Sequence, residues 1–383
     1  MIDTTVLGEI RQRIDGIDEQ IQRLIEHRAR LARNVGEIKL AASVADFYRP
    51  EREAEVLRNV VARNQGPLKD EEMIRLFREI MSACLAQQEP LKIAFLGPEG
   101  TYTHAAVTRH FGHSVRALPL PEVEKVFQEV ESGSADFGVV PIENSTEGTV
   151  RHALDMFLSS PLMICGEVEL AIRHQLLVRT GRLGDVRRVC AHPQALAQCR
   201  MTLAELLPRV ERVPVASSAE AARRARDEDG TAAVAGEAAA EIYGLRPLAT
   251  QIEDRPDNAT RFYVVGRSLF APSGADKTTL LMSLDDTESP GGLYRLLEPL
   301  ARHGISMTRI ESRPSLKRNW HYVFFVDIEG HAADAKVAPA IEELGRAASL
   351  FRVLGAYPRG VQAAHHDSPD GAAASGASQL APA

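Results

Sequence analysis

Lys92-Ile93-Ala94-Phe95-Leu96-Gly97-Pro98-Glu99-Gly100-Thr101-Tyr102-Thr103-His104 decides the fold class of this chain. The short apolar run reads as a buried strand, Gly97 to Gly100 turn the chain, and the next residues open a helix through Ala105 and Val107. A strand, a Gly-rich turn and a helix in that order leave backbone N–H groups where an anion can bind. No Gly-Lys-Ser or Gly-Lys-Thr follows, and no dinucleotide fingerprint is present, so this is not a nucleotide loop. Asp136-Phe137-Gly138-Val139-Val140-Pro141-Ile142-Glu143-Asn144-Ser145-Thr146-Glu147-Gly148-Thr149 is a second such junction, ahead of a helix from Val150 to Leu158. His192-Pro193-Gln194-Ala195-Leu196-Ala197-Gln198-Cys199 is a third, and the Ala-rich helices between Ser217 and Ala240 read as packing. Asp257-Asn258-Ala259-Thr260-Arg261-Phe262-Tyr263-Val264-Val265 then brings a polar turn into a β-branched and aromatic strand. An amide, a hydroxyl and a guanidinium stand at its entry, where α/β enzymes place reacting groups. Side chains alternate along a strand, so Thr260, Phe262 and Val264 share one face and Arg261, Tyr263 and Val265 the other. Strands and helices alternating over this length imply an open α/β fold with two lobes around a cleft.

Upstream, apolar residues recur as Leu7, Ile10, Ile14, Ile17, Ile21, Leu24, Leu31, Val35 and Ile38. This seam, held over about five heptads, predicts one long helix ending in the turn Ala45-Asp46-Phe47-Tyr48-Arg49-Pro50. A second helix is expected from Glu51 to about Arg63, and a third, capped by Asp70, to about Gln88. The first helix is too long to bury its seam within one chain, which predicts an intertwined dimer. Arg28 occupies the seam position due an apolar residue, and an arginine there is costly unless it is paired or faces a ligand. Lys39 lies about 20° from Arg28 around the helix and roughly 16 Å along it, so the two can bracket a small ligand. Arg11, about 25 Å from Arg28 and turned some 100° away, can join that pocket only from an antiparallel partner. Most other charge on this helix, such as Arg13, Arg23 and Glu26, reads as a solvated face.

Downstream, Pro272-Ser273-Gly274-Ala275 is a loop and Thr278 to Leu284 a strand. Pro290-Gly291-Gly292-Leu293-Tyr294 opens a helix to Ala301, strands follow at Ile305 to Ser312 and His321 to Asp327, and a helix at Ala333 to Ala347. That order predicts a ferredoxin-like α+β unit. Beyond Gly360 the chain has nothing to bury and is expected to be disordered.

A chain of 383 residues implies two or three domains. With 44% apolar and 25% charged residues it has the composition of a soluble globular protein. A net charge of −7 argues against general nucleic-acid binding. No apolar run approaches the length of a membrane span. The N-terminus lacks the basic start and apolar core of a signal peptide. Cys84, Cys165, Cys190 and Cys199 show no CxxC spacing, so neither zinc nor a disulfide framework is indicated and a cytoplasmic protein with reduced thiols is expected.

The residues from Met1 to about Glu89 resemble the all-helical class of chorismate mutase, with Arg11, Arg28 and Lys39 at the family spacing, then Arg52-Glu53 and Gln88. Arg49 stands where relatives carry Asp, with one extra residue in the turn, and Cys84 where some carry Ser. Chorismate, a dianion, rearranges in a pericyclic step, so catalysis rests on holding the compact conformer and stabilising charge on the ether oxygen. The resemblance implies that Arg28 and the partner's Arg11 hold the two carboxylates. It has Lys39 and Gln88 donate to the ether oxygen and Glu53 accept from the ring hydroxyl, with Arg52 orienting it. Arg49 and Cys84 complete the implied chorismate contacts. Ile80, Cys84 and Gln88 recur at a spacing that puts them on one face of the third helix.

From Ile93 to about Gly266 four segments resemble prephenate dehydratase in order and spacing. They are the Gly-Pro-Glu-Gly-Thr turn, Pro-Ile-Glu-Asn-Ser-Thr-Glu-Gly, His-Pro-Gln and Asn-Ala-Thr-Arg-Phe. The family fold resembles two-lobed periplasmic binding proteins. The reaction expels the ring hydroxyl of prephenate as carbon dioxide departs, so a proton donor belongs at that oxygen. The resemblance assigns it to Thr260, with Arg261 a weaker catalytic assignment. Thr101, Asn144, Ser145 and Gln198 are the implied substrate contacts. Ala191 stands where relatives often place a Ser. His104 and His192 are read as structural rather than as acids.

The region from about Thr278 to Tyr357 resembles an ACT domain, with Glu311-Ser312-Arg313-Pro314 matching the phenylalanine-binding segment of dehydratase ACT domains. Gly291-Gly292-Leu293 takes the place of their Gly-Ala-Leu segment. Feedback inhibition by phenylalanine is implied. The expectation is thus a multidomain chain: an all-α mutase arm (1–90), a two-lobed α/β dehydratase domain (91–270), an ACT domain (278–357) and a tail (361–383). It converts chorismate to prephenate and on to phenylpyruvate with no metal or organic cofactor. Two other readings fit part of the pattern. A ligand sensor with a helical dimerisation arm has no use for Arg28 and Lys39 on one face. A dehydratase whose arm has lost mutase activity keeps the cleft segments.

Overall fold

The computed structural model describes residues 4–42, 48–284, 290–314 and 322–360. The turn residues 45–47, His321 and the expected disordered tail lie outside them.

Three helices form the N-terminal arm: α1 (Thr4–Ala41), α2 (Pro50–Arg63) and α3 (Asp70–Leu85). Proline at the start of α2, with Glu51 and Glu53 in its first turn, suits a helix N-terminus, where an N–H is spare and the dipole favours acids. Two details differ from expectation. Lys69, not Asp70, holds the N-cap position of α3, and the Asp70 carboxylate instead accepts from Asn64 Nδ2 at 2.7 Å. The helix stops at Leu85, so Gln88 lies in the turn beyond it rather than on the face that carries Ile80 and Cys84. Glu89-Pro90 ends helical hydrogen bonding there. The apolar seam of α1 has no cover among the described residues: Leu24 is 68% and Ile38 69% exposed. Of the α1 side chains described, only Arg28, Ala29, Ala32, Gly36 and Lys39 are shielded, and they share the stripe that faces α3.

The arm docks on the α/β region through Tyr48, which is buried against Phe111 and Phe137 with ring centroids 5.4 and 5.3 Å away. Tyr48 Oη lies 3.2 Å from His110 Nε2. Burial pushes the His110 pKa down to about 3, so the ring is neutral.

The α/β region has two lobes. The first holds β1 (Lys92–Leu96), β2 (Arg116–Leu120), β3 (Phe137–Asn144), β4 (Gly148–Thr149), β5 (Met163–Ala171) and β11 (Ala259–Gly266). Its order is β2-β1-β3-β11-β5, with β4 against β3. Helices α4 (Tyr102–Phe111), α5 (Val123–Glu131) and α6 (Arg151–Met156) accompany it. The second lobe holds β6 (Gln175–Val178), β7 (Arg188–Ala191), β8 (Glu211–Pro214), β9 (Thr231–Ala235) and β10 (Arg246–Thr250), in the order β10-β6-β9-β7-β8. Helices α7 (Pro193–Gln198), α8 (Arg200–Leu206), α9 (Ser218–Asp227) and α10 (Glu237–Tyr243) belong to it. The small alanines of α9 let it lie close on β9, and Ala219, Ala221, Ala222 and Ala225 are all buried. The chain passes between lobes twice, after β5 through Ile172 to His174 and before β11 through 251–258. These crossings put Asn258 and His174 at the hinge.

The C-terminal unit is the expected ferredoxin-like fold: β12 (Asp276–Ser283), α11 (Gly292–Arg302), β13 (Met307–Pro314), β14 (Tyr322–Glu329), α12 (Ala338–Ala347) and β15 (Leu350–Pro358), in the sheet order β13-β14-β12-β15. It packs face-on against the first lobe. At Gly355 of β15 a Cβ would stand 2.1 Å from the Ile164 carbonyl oxygen of β5, so only glycine permits this approach. Between the sheets the fully buried Asp327 carboxylate accepts from Tyr263 Oη at 3.2 Å and Thr279 Oγ1 at 2.8 Å. Burial pushes the Asp327 pKa up, and the Arg309 guanidinium opposes that shift.

Candidate active sites

Strand β11 lies antiparallel to β3 with Thr260 opposite Asn144 and Arg261 opposite Glu143. Pairing therefore sorts these residues onto two faces. On the cleft side, Asn144 Oδ1 accepts from the backbone N–H groups of Thr146 and Glu147, each at 3.1 Å, and from Thr146 Oγ1 at 2.6 Å. Backbone N–H groups only donate, so the carbonyl end of this amide is fixed and Nδ2 must face the other way. It donates to Thr260 Oγ1 at 2.8 Å and Asn258 Oδ1 at 2.9 Å, with Ala259 O at 3.3 Å. Thr260 Oγ1 is thereby an acceptor within the network, and its own hydrogen is left to donate outward. Ser145 Oγ accepts from Ala259 N at 3.0 Å. Gln198 reaches across from the second lobe: Nε2 donates to Thr146 Oγ1 at 3.1 Å, and Oε1 accepts from Asn258 Nδ2 at 3.1 Å. Asn144, Ser145, Gln198 and Thr260 are thus gathered at one hinge.

Thr101 serves its own turn instead, capping α4 by accepting from His104 N at 3.4 Å while donating to Pro98 O at 2.9 Å. His104 stacks on Phe95 and accepts from Gly100 N, and His192 starts α7 by accepting from Gln194 N. Both histidines hold loops. Arg261 is not brought to the network. Alternation turns it to the opposite face, where it lies 3.7 Å from Glu143 and 3.9 Å from Asp327, under the C-terminal sheet. Arg309 joins them, its Nε donating to Glu143 at 3.1 Å. Thr146 and His174, not singled out from sequence, complete the cleft network with Asn258, the amide at the strand entry. Asn258 and Thr146 stood inside the quoted segments as polar neighbours of the motif residues. His174 carried no motif signal.

In the arm, Gln88 donates through Nε2 to the Ala32 carbonyl at 2.8 Å and lies over Gly36, where a Cβ would meet Gln88 Cγ at 2.6 Å. Gly36 is therefore what lets this carboxamide settle on α1 between Arg28 and Lys39. Cys84 is buried, one turn before it. Arg11 is exposed at the far end of α1. The other expected contacts are engaged elsewhere: Arg49 pairs with Glu51 at 2.5 Å and the exposed Arg52 with Glu55 at 2.6 Å. Glu53 pairs with Arg78 at 3.3 Å, and burial raises its pKa while Arg78 and Tyr48 oppose the shift.

In the C-terminal unit Gly291 adopts φ 77° at the N-cap of α11, a left-handed conformation that suits glycine, and the first-turn Leu293 is exposed. Along the edge strand β13 the side chains alternate. Ser312 and Pro314 are exposed, whereas Arg309, Glu311 and Arg313 turn inward, and Arg313 pairs with Asp155 of the first lobe at 2.7 Å.

The fold and the cleft define a multidomain enzyme: a helical arm, a two-lobed α/β unit with a polar network at its hinge, and a ferredoxin-like module docked behind that network. Three family profiles match in series: chorismate mutase type II over residues 10–89, prephenate dehydratase over 93–269 and ACT domain over 278–346. The chain is 50% identical to a bifunctional chorismate mutase/prephenate dehydratase of Stutzerimonas stutzeri, covering 94% of this chain and all of that one. It is 49% identical to the enzyme of the same description from Neisseria gonorrhoeae, covering 92% and 96%. A solved prephenate dehydratase from Arthrobacter aurescens, in complex with L-Phe, superposes with a TM-score of 0.65 at 39% identity, covering 70% of this chain and 90% of that one. The chain belongs to the family of bifunctional chorismate mutase/prephenate dehydratases.

Proposed function

We propose that this protein rearranges chorismate to prephenate in the helical arm and converts prephenate to phenylpyruvate in the hinge cleft, under feedback control by L-phenylalanine. The observation that carries the second activity is the orientation of Asn144. Its amide nitrogen donates to Thr260 Oγ1, so the threonine hydrogen points away from the protein network, available to the departing ring hydroxyl of prephenate. Loss of that hydroxyl as water, with the carboxylate leaving as carbon dioxide, needs one proton delivered there and is drawn forward by aromatisation. Gln198 offers an amide N–H and Ser145 a hydroxyl to the substrate, while Asn144 orients Thr260. Such neutral donors bind without over-stabilising the carboxylate that must leave.

For the mutase, Arg28 and Lys39 flank Gln88 on one stripe of α1, and the partner's Arg11 closes the pocket in an intertwined homodimer. The bare apolar seam of α1 supports that dimer. Glu53, Arg52, Arg49 and Cys84 complete the pocket in this reading once a partner helix covers α1. The setting is cytoplasmic, where the four buried cysteines stay free thiols. Feeding chorismate to the purified protein and following its loss and phenylpyruvate formation separately tests the whole. Absence of both products would point to a sensor, and prephenate turnover without chorismate loss to a dead arm.

A neutral amide at position 88 needs no proton, so the mutase rate is expected to be nearly flat around neutral pH. A Gln88→Glu variant donates only when protonated and is expected to be active mainly in acid. A wild-type rate falling steeply above pH ~6, well past the ordinary carboxyl range, would count against Gln88 as donor. L-Phenylalanine is expected to lower dehydratase activity, and Glu311→Ala or Arg313→Ala to relieve it. Unchanged wild-type kinetics in millimolar phenylalanine would remove the regulatory reading.

A further inference from the structure

The cleft network continues beyond the residues that face substrate. His174, 3% exposed, sits on the crossing between β5 and β6. Its Nε2 is 2.9 Å from Gln198 Oε1 and its Nδ1 is 2.9 Å from Tyr102 Oη. Its backbone N–H is held by the Glu253 carboxylate at 2.8 Å. The ring thus joins α4 of the first lobe to α7 of the second.

The tautomer of this ring follows from the backbone. Thr146 and Glu147 N–H groups fix Asn144 Oδ1, so Asn144 Nδ2 faces Asn258 and Asn258 must present Oδ1 to it. Asn258 then turns Nδ2 to Gln198, which must answer with Oε1. With that oxygen facing His174, Nε2 carries the proton and donates, while Nδ1 is an acceptor beside the Tyr102 hydroxyl, whose hydrogen also has the Arg173 carbonyl within reach at 2.9 Å. Burial disfavours the charged ring, in keeping with this neutral form. Gln198 Oε1 therefore has two donors, and only its Nε2 end remains to meet the cleft, one hydrogen on Thr146 and one free.

We propose that His174 is a positioning residue for prephenate dehydration: its Nε2–H locks the Gln198 carboxamide with the nitrogen end toward the substrate. Without this donor, Asn258 Nδ2 is the single bond left on that oxygen, and the amide is held less firmly in the orientation that offers its nitrogen to a carboxylate. The loss falls on substrate binding, because the Thr260 hydroxyl is held through Asn144 by separate bonds. This inference rests on the proposed dehydratase site.

The test compares two amide replacements in the full-length protein. His174→Gln returns an N–H near the Nε2 position, and His174→Asn places its amide on the Tyr102 side and removes one of the two donors to Gln198 Oε1. His174→Asn is expected to raise KM for prephenate about tenfold, the scale of one lost hydrogen bond, with a smaller change in kcat. His174→Gln is expected to stay within about threefold of wild type by retaining that bond. An unchanged chorismate mutase rate in both variants reports an intact fold. A wild-type KM in His174→Asn, or equal damage from both replacements, would overturn the proposal. Gln198→Ala separates the two levels: wild-type kinetics there would overturn the site reading itself, whereas an impaired Gln198→Ala beside a normal His174→Asn overturns the positioning role alone.

Discussion

Thr260→Ala is expected to cut prephenate dehydration by about a thousandfold, the middle of the range for loss of a positioned acid, while chorismate mutase activity stays at the wild-type level. The second half of that prediction makes the first interpretable. Both reactions run on one polypeptide, so a normal mutase rate shows that the variant has folded and that its helical arm is intact. The substitution also leaves the network largely standing. Asn144 Nδ2 keeps Asn258 Oδ1 at 2.9 Å and the Ala259 carbonyl at 3.3 Å, so its hydrogens retain acceptors. The stability cost should be on the order of 1 kcal/mol, that of one exchanged hydrogen bond. Thr260→Ser keeps the hydroxyl and should recover most of the rate. A Thr260→Ala enzyme with near-normal phenylpyruvate formation would move the proton donor elsewhere.

Arg28→Ala is expected to have the mirror effect, lowering mutase kcat/KM by roughly a thousandfold, as removal of a preorganised charge at a dianion does, with dehydration of added prephenate unchanged. Arg28 stands on the shielded stripe of α1, at the seam position an apolar residue would otherwise hold. Alanine in an exposed helix is, if anything, a better helix former, so loss of rate there cannot be assigned to loss of helix. Arg28→Lys keeps the charge but not the planar fork, and an intermediate rate is expected. A mutase rate within a few-fold of wild type in Arg28→Ala would remove this residue from the pocket.

The architecture was legible in the chain because its signals were local: an apolar run and Gly-rich turn at Lys92 to His104, a heptad seam, and a β-α-β-β-α-β order. The two faces of Asp257 to Val265 were legible for the same reason, since alternation along a strand is geometric. Alternation puts Thr260 and Arg261 on opposite faces of the strand. What escaped were residues whose role is set by partners far away in sequence. His174 is a single histidine between two strands, and only the folded hinge brings Tyr102 and Gln198 to its two nitrogens. Gln88 was placed on α3 by periodicity, but the helix yields at Leu85 and the carboxamide packs on Gly36 from the following turn. Glu53, Arg52 and Arg49 pair locally in the single chain. The seam of α1, read as a dimer surface, is exposed along its length in the single chain.

Register between β3 and β11 has one more consequence. Glu143 and Arg261 touch the charges of the C-terminal sheet and Asn144 and Thr260 belong to the cleft network, yet Glu143 adjoins Asn144 on β3 and Thr260 adjoins Arg261 on β11. The C-terminal module and the proposed dehydratase site are therefore one peptide bond apart on each strand. A message crossing this interface requires no wire of side chains through the core: a small twist of either strand turns both of its faces at once.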